Sequence, residues 1–194
     1  MSSTEIYGFN ANGYAEFIGE TPNAFRGAFV VWETLEKKYL EPLPLKNTAG
    51  ISFTRAVCGE GLDDLWKLPY TDKLSRTEKI VLLSTFDRNI VKSSDVDELI
   101  SAFNSFDIVF DLPATYTSLA EQAEILENNK NDYIAFGFNQ TSVSSAFWIE
   151  DRNTCECEYC EHCKEDYYNL NTESQHFDIF DELNKDINND NQAE

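Results

Sequence analysis

The sequence predicts a single α+β domain in which several helices pack on an antiparallel sheet. Three observations support this class: an opening unit of two short strands and an amphipathic helix, two capping boxes that mark further helices, and β-rich stretches near the C-terminus. Hydrophobic residues make up 42 % of the 194 residues and aromatic residues 13 %, so the chain can bury a sizeable core. The domain is expected to span residues 1–183, followed by a disordered acidic tail over residues 184–194.

The first forty residues predict a ββα unit. Strands are expected over residues 5–9 and 14–18, because the turn between them contains two asparagines and a glycine, which tolerate positive φ. A helix is expected over residues 21–40, with Thr21 as its N-cap and Pro22 at its first position. An apolar stripe at three- and four-residue spacing indicates the face that packs on the hairpin. The stripe consists of Phe25, Ala28, Phe29, Trp32, Leu35 and Tyr39.

The middle of the chain predicts a linker and then four helices. Residues 41–60 contain two prolines and two glycines, which is typical of an irregular linker. Capping boxes of the form S-x-x-E mark the start of the second helix, at Ser75, and of the fourth, at Ser118. Ser94 is expected to cap the third helix. The helices are predicted over residues 62–68, 75–86, 94–106 and 118–129, with short extended pieces at 51–54, 89–92 and 108–112.

The C-terminal part predicts an antiparallel hairpin and one last ordered element. Residues 133–139 alternate between apolar and polar types, and residues 145–150 are apolar and aromatic. Two such runs favour a hairpin that turns near residues 141–144. Residues 176–183 are expected to be ordered, as either helix or strand.

The charge of the chain is its most unusual property. Thirty-five acidic residues against fifteen basic residues give a net charge of -20, and 14 of the acids but only 3 of the bases lie in residues 150–194. Such a field repels nucleic acid and anionic membranes and attracts basic partners, including proteins that themselves bind nucleic acid. Plain solubility is the alternative explanation of the same composition.

Cellular location is expected to be intracellular. No apolar run approaches the length of about 20 residues that a membrane span needs, and no charged-then-apolar leader opens the chain. Four of the five cysteines lie within nine residues, unlike the dispersed cysteines of a disulfide-stapled secreted domain.

These clustered cysteines form the clearest candidate metal site. The pattern C-x-C-x2-C-x2-C contains His162, and His176 follows it nearby. Thiolates at this density favour zinc, although four ligands in nine residues require a very tight loop, so that one of the two histidines could replace a cysteine. An iron–sulfur cluster or no specific metal stay open as alternatives. A bound zinc would serve to fold the loop. The candidate ligands are Cys155, Cys157, Cys160 and Cys163.

Catalysis has little support, and we expect no enzyme. Only two histidines are present, both in the C-terminal quarter, so a nucleophile–histidine constellation would be a coincidence. Cys58 is expected to be an ordinary thiol, and the glycines around Glu60 are too few for a phosphate-binding loop. Neighbouring acids fit helix N-termini, where the helix dipole favours them. These acids are Asp63 and Asp64 at one helix, and Asp95 and Asp97 at another.

Two stretches resemble a family of small accessory proteins carried by phages, prophages and other mobile elements of Gram-positive bacteria. The first runs from Glu5-Ile6-Tyr7-Gly8-Phe9 through Asn23-Ala24-Phe25-Arg26-Gly27-Ala28 and Trp32 to Leu35-Glu36-Lys37-Lys38-Tyr39-Leu40. The second is Phe136-Gly137-Phe138-Asn139-Gln140-Thr141-Ser142-Val143, followed by Trp148. Ser84-Thr85-Phe86-Asp87 and Phe180-Asp181-Glu182-Leu183 fit the same pattern, whereas the cysteine segment departs from it.

The family is similar to some type II-A anti-CRISPR proteins, which are inhibitors of the RNA-guided Cas nuclease. The resemblance implies an inhibitor in the bacterial cytoplasm, and a Cas-type nuclease offers a basic channel that an acidic, DNA-mimicking surface could occupy. Two alternatives stay open: a zinc-stabilised adaptor or inhibitor of another host defence or repair protein, and a small phage-encoded enzyme with an unannounced active site. The residues expected to contact the partner are Glu150, Asp151, Glu156, Glu158, Glu161, Glu165 and Asp166.

Overall fold

The computed structural model of the chain describes residues 3–23, 27–44, 54–55, 59–109, 117–141, 148–149 and 168–190. Within these residues, six α-helices accompany a five-stranded sheet, which confirms the predicted α+β class. In chain order the elements are β1 (Ser3–Phe9), β2 (Ala15–Pro22), α1 (Ala28–Tyr39), α2 (Leu62–Trp66), a 3-10 turn (Leu68–Tyr70), α3 (Arg76–Leu83), β3 (Asn89–Lys92), α4 (Val96–Ser105), α5 (Ser118–Asn129), β4 (Ala135–Thr141), β5 (Phe177–Asp178) and α6 (Ile179–Asp190).

The sheet has the strand order β2-β1-β4-β3-β5. Three of the four strand pairs are antiparallel as expected, and the fourth, β3 with β5, is parallel. The first and fourth strands in the chain therefore pair at the centre of the sheet. Phe9 lies opposite Ala135 at one end of this pair, and Ser3 lies opposite Thr141 at the other.

The opening hairpin is confirmed, and the start of its helix is corrected. Gly13 adopts a φ of 84°, and its backbone nitrogen donates to the Asn10 carbonyl at 2.8 Å, so the turn uses the positive φ that glycine allows. The prediction that Thr21 caps a helix is wrong, because Thr21 and Pro22 are the last residues of β2. The Thr21 hydroxyl instead accepts a hydrogen bond from Gln122 on α5 at 2.9 Å. Helix α1 begins after Gly27.

The helix starts in the middle of the chain follow the capping signals in part. At α3 the full capping box is present, with Ser75 and Glu78 bonded reciprocally. The second capping box is wrong, because Ser118 is the first residue of α5 and its hydroxyl donates to the Pro22 carbonyl at 2.8 Å. Helix α4 is preceded by Asp95, one residue after the predicted cap.

The predicted C-terminal hairpin is not the pairing in the sheet. Strand β4 lies between β1 and β3, and the two described residues of the expected return strand, Trp148 and Ile149, are not in a strand. The last element is both strand and helix, since β5 leads directly into α6, which extends to Asp190 and past residue 184. The pieces predicted at 51–54 and 108–112 lie mostly outside the described residues, and Ile108 is not in a strand.

The sheet buries side chains on both faces. On one face, which we call the helix face, Ile6, Val91 and Phe138 join the main core formed with the helices. On the other, which we call the second face, Tyr7, Phe9 and other buried side chains form a smaller core. Burial of each large apolar side chain contributes about 1.5–3 kcal/mol. The smaller core comprises Tyr7, Phe9, Ala15, Ile90, Ala135 and Ile149, with Trp148, Tyr168 and Leu170 packed against it.

Candidate functional site on the second face of the sheet

Apart from His176, the residues predicted to bind a partner or a metal lie between Ile149 and Tyr168, outside the described part of the chain. Cys58 also lies outside it. Of the candidate metal ligands, the described residues include only His176. The predicted residues that lie between Ile149 and Tyr168 are the acids Glu150, Asp151, Glu156, Glu158, Glu161, Glu165 and Asp166, the cysteines Cys155, Cys157, Cys160 and Cys163, and His162.

The structure holds the two ends of this acidic, cysteine-containing segment together on the second face. The rings of Trp148 and Tyr168 meet edge to face with their centroids 5.0 Å apart. Tyr168 also contacts Phe9 of β1, at 6.2 Å between centroids. Ile149 is fully buried in the smaller core. The described residues on either side of the segment therefore lie together on the second face.

Strand β4 positions the entry end of the segment. The Trp148 indole nitrogen donates to the Phe138 carbonyl at 2.9 Å, and the Asn139 amide nitrogen donates to the Ile149 carbonyl at 2.8 Å. Gly137 makes room for this approach, because a Cβ atom there would lie 2.6 Å from Ile149 Cδ1 and 3.0 Å from Phe9 Cε2. Glycine at this position thus permits the close packing of Ile149 on the sheet.

At the exit end, the Tyr168 hydroxyl is hydrogen-bonded to His176 Nδ1. Burial raises the pKa of Tyr168 to about 12, with Glu173 contributing in the same direction and Arg88 opposing. Burial also lowers the pKa of His176 below 6.5, against the opposing effect of Asp178. Near neutral pH the phenol is therefore protonated and the imidazole is neutral. The phenol then donates to Nδ1, and Nε2 carries the ring proton.

This pair limits how His176 could serve as a ligand. A metal at Nε2 requires the ring proton to move to Nδ1, and the Tyr168 oxygen would then accept from that nitrogen. Such a partner on the second ring nitrogen is the usual arrangement for a metal-bound histidine, because it fixes the orientation of the ring. Tyr168 can hold the imidazole in either tautomer.

The backbone beside this pair is strained at Arg88, which has a φ of 64° between α3 and β3. Its carbonyl accepts from the Phe177 backbone nitrogen at 2.9 Å, and its guanidinium donates to Gln175 at 3.1 Å. Arg88 thus connects the start of β3 to the chain that leads from His176 into β5. The positive φ at a residue other than glycine is held by these two contacts.

Two residues of this site were not identified from the sequence. Tyr168 and Trp148 flank the acidic segment, and an aromatic side chain at each end is the signal that could have indicated that the two ends lie together.

The two stretches that carry the family resemblance also meet, because Asn23 Nδ2 donates to Gln140 Oε1 at 3.1 Å. The Thr4 hydroxyl lies within hydrogen-bonding distance of both amides, at 2.6 and 2.8 Å.

Among the described residues, no group of three or more histidine, cysteine or acidic side chains could hold a metal ion. Zinc at the cysteine cluster therefore stays a prediction about residues outside them. The described helices include none that is long and apolar enough to cross a bilayer. No family model, no curated protein and no solved structure matches the chain in the comparisons with known proteins.

Proposed function

We propose that this chain is a binding protein, and not an enzyme, that inhibits a nucleic-acid enzyme of the bacterial host by presenting carboxylates where phosphates would bind. The first target to test is an RNA-guided Cas nuclease. The observation that carries the proposal is the net charge of -20. A protein that reads nucleic acid along a basic channel is the natural counterpart of such a surface.

Six of the eleven lysines and arginines that the structure describes are paired with acids of the same chain, which supports this proposal. Six lysines and arginines form ion pairs, so they offer little attraction to a further anionic partner. Carboxylates remain in excess, and Glu124, Asp132 and Glu173 are exposed and belong to no ion pair among the described residues. The pairs are Lys38 with Glu78 and Asp107, Arg55 with Glu36 and Asp64, Arg76 with Glu98, Lys92 with Asp178 and Asp181, Lys130 with Asp97 and Glu127, and Lys185 with Glu182.

The contact is proposed to be the acidic segment between Ile149 and Tyr168. Both ends of the segment are held on the second face, next to Glu173 and Asp178, whose charges act on the Tyr168 and His176 pair. Long-range attraction would accelerate association with a basic partner at low ionic strength and lose effect as salt screens it. Inhibition should therefore be salt-dependent.

The experiment measures DNA cleavage by a purified Cas nuclease with increasing amounts of the full chain, at about 50 and about 300 mM salt. Replacement of the four glutamates of the segment by glutamine should weaken inhibition by a factor of at least about ten. A control variant carries the same change in charge elsewhere, on helix α5 and the turns beside it. Equal loss in both variants, or no inhibition at low salt, would refute the proposal. The test set is Glu156, Glu158, Glu161 and Glu165, and the control set is Glu121, Glu124, Glu127 and Asp132.

A zinc-stabilised adaptor with another host target is the second candidate. The specific observation in its favour is the contact of Trp148 with Tyr168, because a segment whose ends are already joined needs less ordering to close around an ion. Metal analysis of protein purified without chelator tests it. About one zinc per chain, lost in Cys155→Ser and Cys163→Ser variants, would support zinc binding. Zinc together with no inhibition of the nuclease would favour the adaptor.

A further inference from the structure

The turn between β1 and β2 contains the only Asn–Gly pair of the chain, Asn12-Gly13. An asparagine before a glycine is the arrangement most prone to spontaneous deamidation, because glycine has no side chain to shield its backbone nitrogen from the asparagine amide. Asn12 is exposed, and its side chain makes no hydrogen bond to another described residue. The side chain is therefore available to react, and the backbone around it controls the reaction.

Deamidation begins when the Gly13 backbone nitrogen attacks the side-chain carbon Cγ of Asn12. A bond forms between these two atoms, and the proton of the backbone nitrogen passes through water to the amide nitrogen of the side chain, which leaves as ammonia. Water then opens the resulting succinimide ring and leaves either aspartate or isoaspartate. The Gly13 nitrogen must therefore be able to lose its proton, and the chain must be able to rotate about the Cα–C bond of Asn12.

The folded turn opposes both requirements. The Gly13 N–H donates to the Asn10 carbonyl at 2.8 Å, so its proton is engaged. The Asn12 N–H donates to Asn10 Oδ1 at 2.9 Å, on the other side of the bond that must rotate. Gly13 is buried, and its φ of 84° is the left-handed conformation that closes a three-residue hairpin loop. Because the nitrogens on both sides of the bond are held, the rotation is blocked while the turn is closed.

Two residues near the C-terminus close over the same turn, and we call them the clamp. Asn169 Nδ2 donates to the Asn12 carbonyl at 3.2 Å, and the Leu170 N–H donates to the Gly13 carbonyl at 2.9 Å. The contact is close, because a Cβ atom at Gly13 would lie 2.6 Å from Asn169 Oδ1. The clamp therefore fixes the carbonyls of the same two residues whose nitrogens are fixed within the hairpin.

We propose that Asn12 is a site of spontaneous deamidation whose rate is set by the opening of the clamp. The closed turn suppresses the reaction, and the reaction proceeds in those molecules in which the clamp has left the turn. A reaction that requires local opening is slowed in proportion to the fraction of molecules that are closed. The proposal is independent of the inhibitor function, since it concerns the chemistry of the turn alone.

The main product would prevent the turn from closing again. In isoaspartate the chain continues through the former side chain, so the path between residues 12 and 13 is longer by one carbon atom. The Gly13 nitrogen and carbonyl then no longer match the positions of Asn10 and Leu170. Deamidation should therefore release the clamp, which directly follows Tyr168 at the exit end of the acidic segment.

The experiment incubates the full chain at slightly alkaline pH and measures deamidation of Asn12 by mass spectrometry of peptides that cover the turn. The reaction should be slower in the folded chain than in the same chain unfolded in guanidinium chloride, by a factor of at least about ten. This factor should agree, within about threefold, with the protection of the Leu170 amide against hydrogen exchange. In the deamidated chain, separated by its added negative charge, the Leu170 amide should exchange faster.

Asn169→Ala removes the bond to the Asn12 carbonyl and should accelerate deamidation of the folded chain by a factor of about two to ten. Asn171→Ala is the matched control, because Asn171 packs beside Gly13 but its side chain donates no hydrogen bond to the described turn, so the rate should be unchanged. The comparison with hydrogen exchange needs no variant, so it decides the proposal even if Asn169→Ala does not fold. Equal rates in the folded and unfolded chains, an unchanged rate in folded Asn169→Ala, or equal acceleration in both variants would overturn the proposal.

Discussion

Glu78 connects three parts of the fold, and its removal provides the sharpest test of how α1 and α3 pack together. The side chain is buried at the start of α3, where it closes the capping box by accepting from the Ser75 backbone nitrogen at 2.9 Å. It also accepts from the Tyr39 hydroxyl at 2.8 Å and from Lys38 at 3.2 Å, both at the end of α1. Lys38 in turn reaches Asp107, beyond α4, at 3.1 Å.

The hydrogen bonds decide the ionisation of Glu78. Burial by itself would raise the pKa of its carboxyl, but the bonds from the Ser75 backbone, from the hydroxyls of Tyr39 and Ser75 and from Lys38 outweigh it. The pKa in the folded protein therefore lies below the ordinary value of 4.5. A carboxyl with a lowered folded pKa stabilises the fold fully above its unfolded pKa, and this contribution is lost as the pH falls through the folded value.

Glu78→Ala should lower the free energy of unfolding by about 2–4 kcal/mol at pH 7. A hydrogen bond to a charged group contributes about 1.5–3 kcal/mol and a lost helix cap costs about 1 kcal/mol, and these terms are not additive. Glu78→Gln keeps an acceptor for the Ser75 backbone nitrogen but loses the charge, so we expect a smaller loss of about 1–2 kcal/mol. For a chain of this length, 1 kcal/mol corresponds to about 2–4 °C in Tm.

Urea unfolding of the unchanged chain and of Glu78→Gln, between pH 7 and pH 3, measures this contribution. The difference in unfolding free energy should be constant above about pH 5 and shrink as the pH falls below the ordinary value of 4.5. Glu98→Gln is the matched control, because Glu98 pairs with Arg76 at an exposed site, where an ion pair contributes about 0–1 kcal/mol. A loss in Glu78→Gln no larger than in the control, or one that does not change with pH, would show that the Glu78 carboxylate does not stabilise the fold.

Three further predictions concern other parts of the fold. Arg55 is 5 % exposed and 2.8 Å from Glu36, so Arg55→Met should cost about 3–5 kcal/mol in urea unfolding, and a cost below about 1 kcal/mol would contradict a buried ion pair. Because burial lowers the pKa of His176, its NMR titration should show a pKa below 6.5. Stability should fall as the pH drops from 6.5 to this lowered pKa, because only the unfolded chain binds the proton in that range, and should level off below it; a measured pKa above 6.5 would contradict this. Gly137→Ala should cost about 1–3 kcal/mol, since the added Cβ would lie 2.6 Å from Ile149 Cδ1, and an unchanged Tm would show that this packing is loose.

The parts of the fold that were predicted correctly depend on local chemistry. The turn at Gly13 and the capping box at Ser75 involve residues within three or four positions of one another, so the sequence alone contains the signal. Thr21 and Ser118 carry the same kind of local signal but are used differently. The Thr21 hydroxyl accepts from Gln122, and Ser118 donates to the carbonyl of Pro22, so contacts between β2 and α5 replace the caps.

The sheet order and the second face could not be predicted, because they depend on pairing between distant residues. Strand β4 appeared suited to a hairpin with the residues that follow it, yet its neighbours are β1, more than one hundred residues earlier, and β3. Nor does a sequence pattern show that an amide such as Asn139 will be buried with one arm unpartnered. The cysteines and acids of the segment were found from composition, while the contact between Trp148 and Tyr168 that holds its two ends together required the structure.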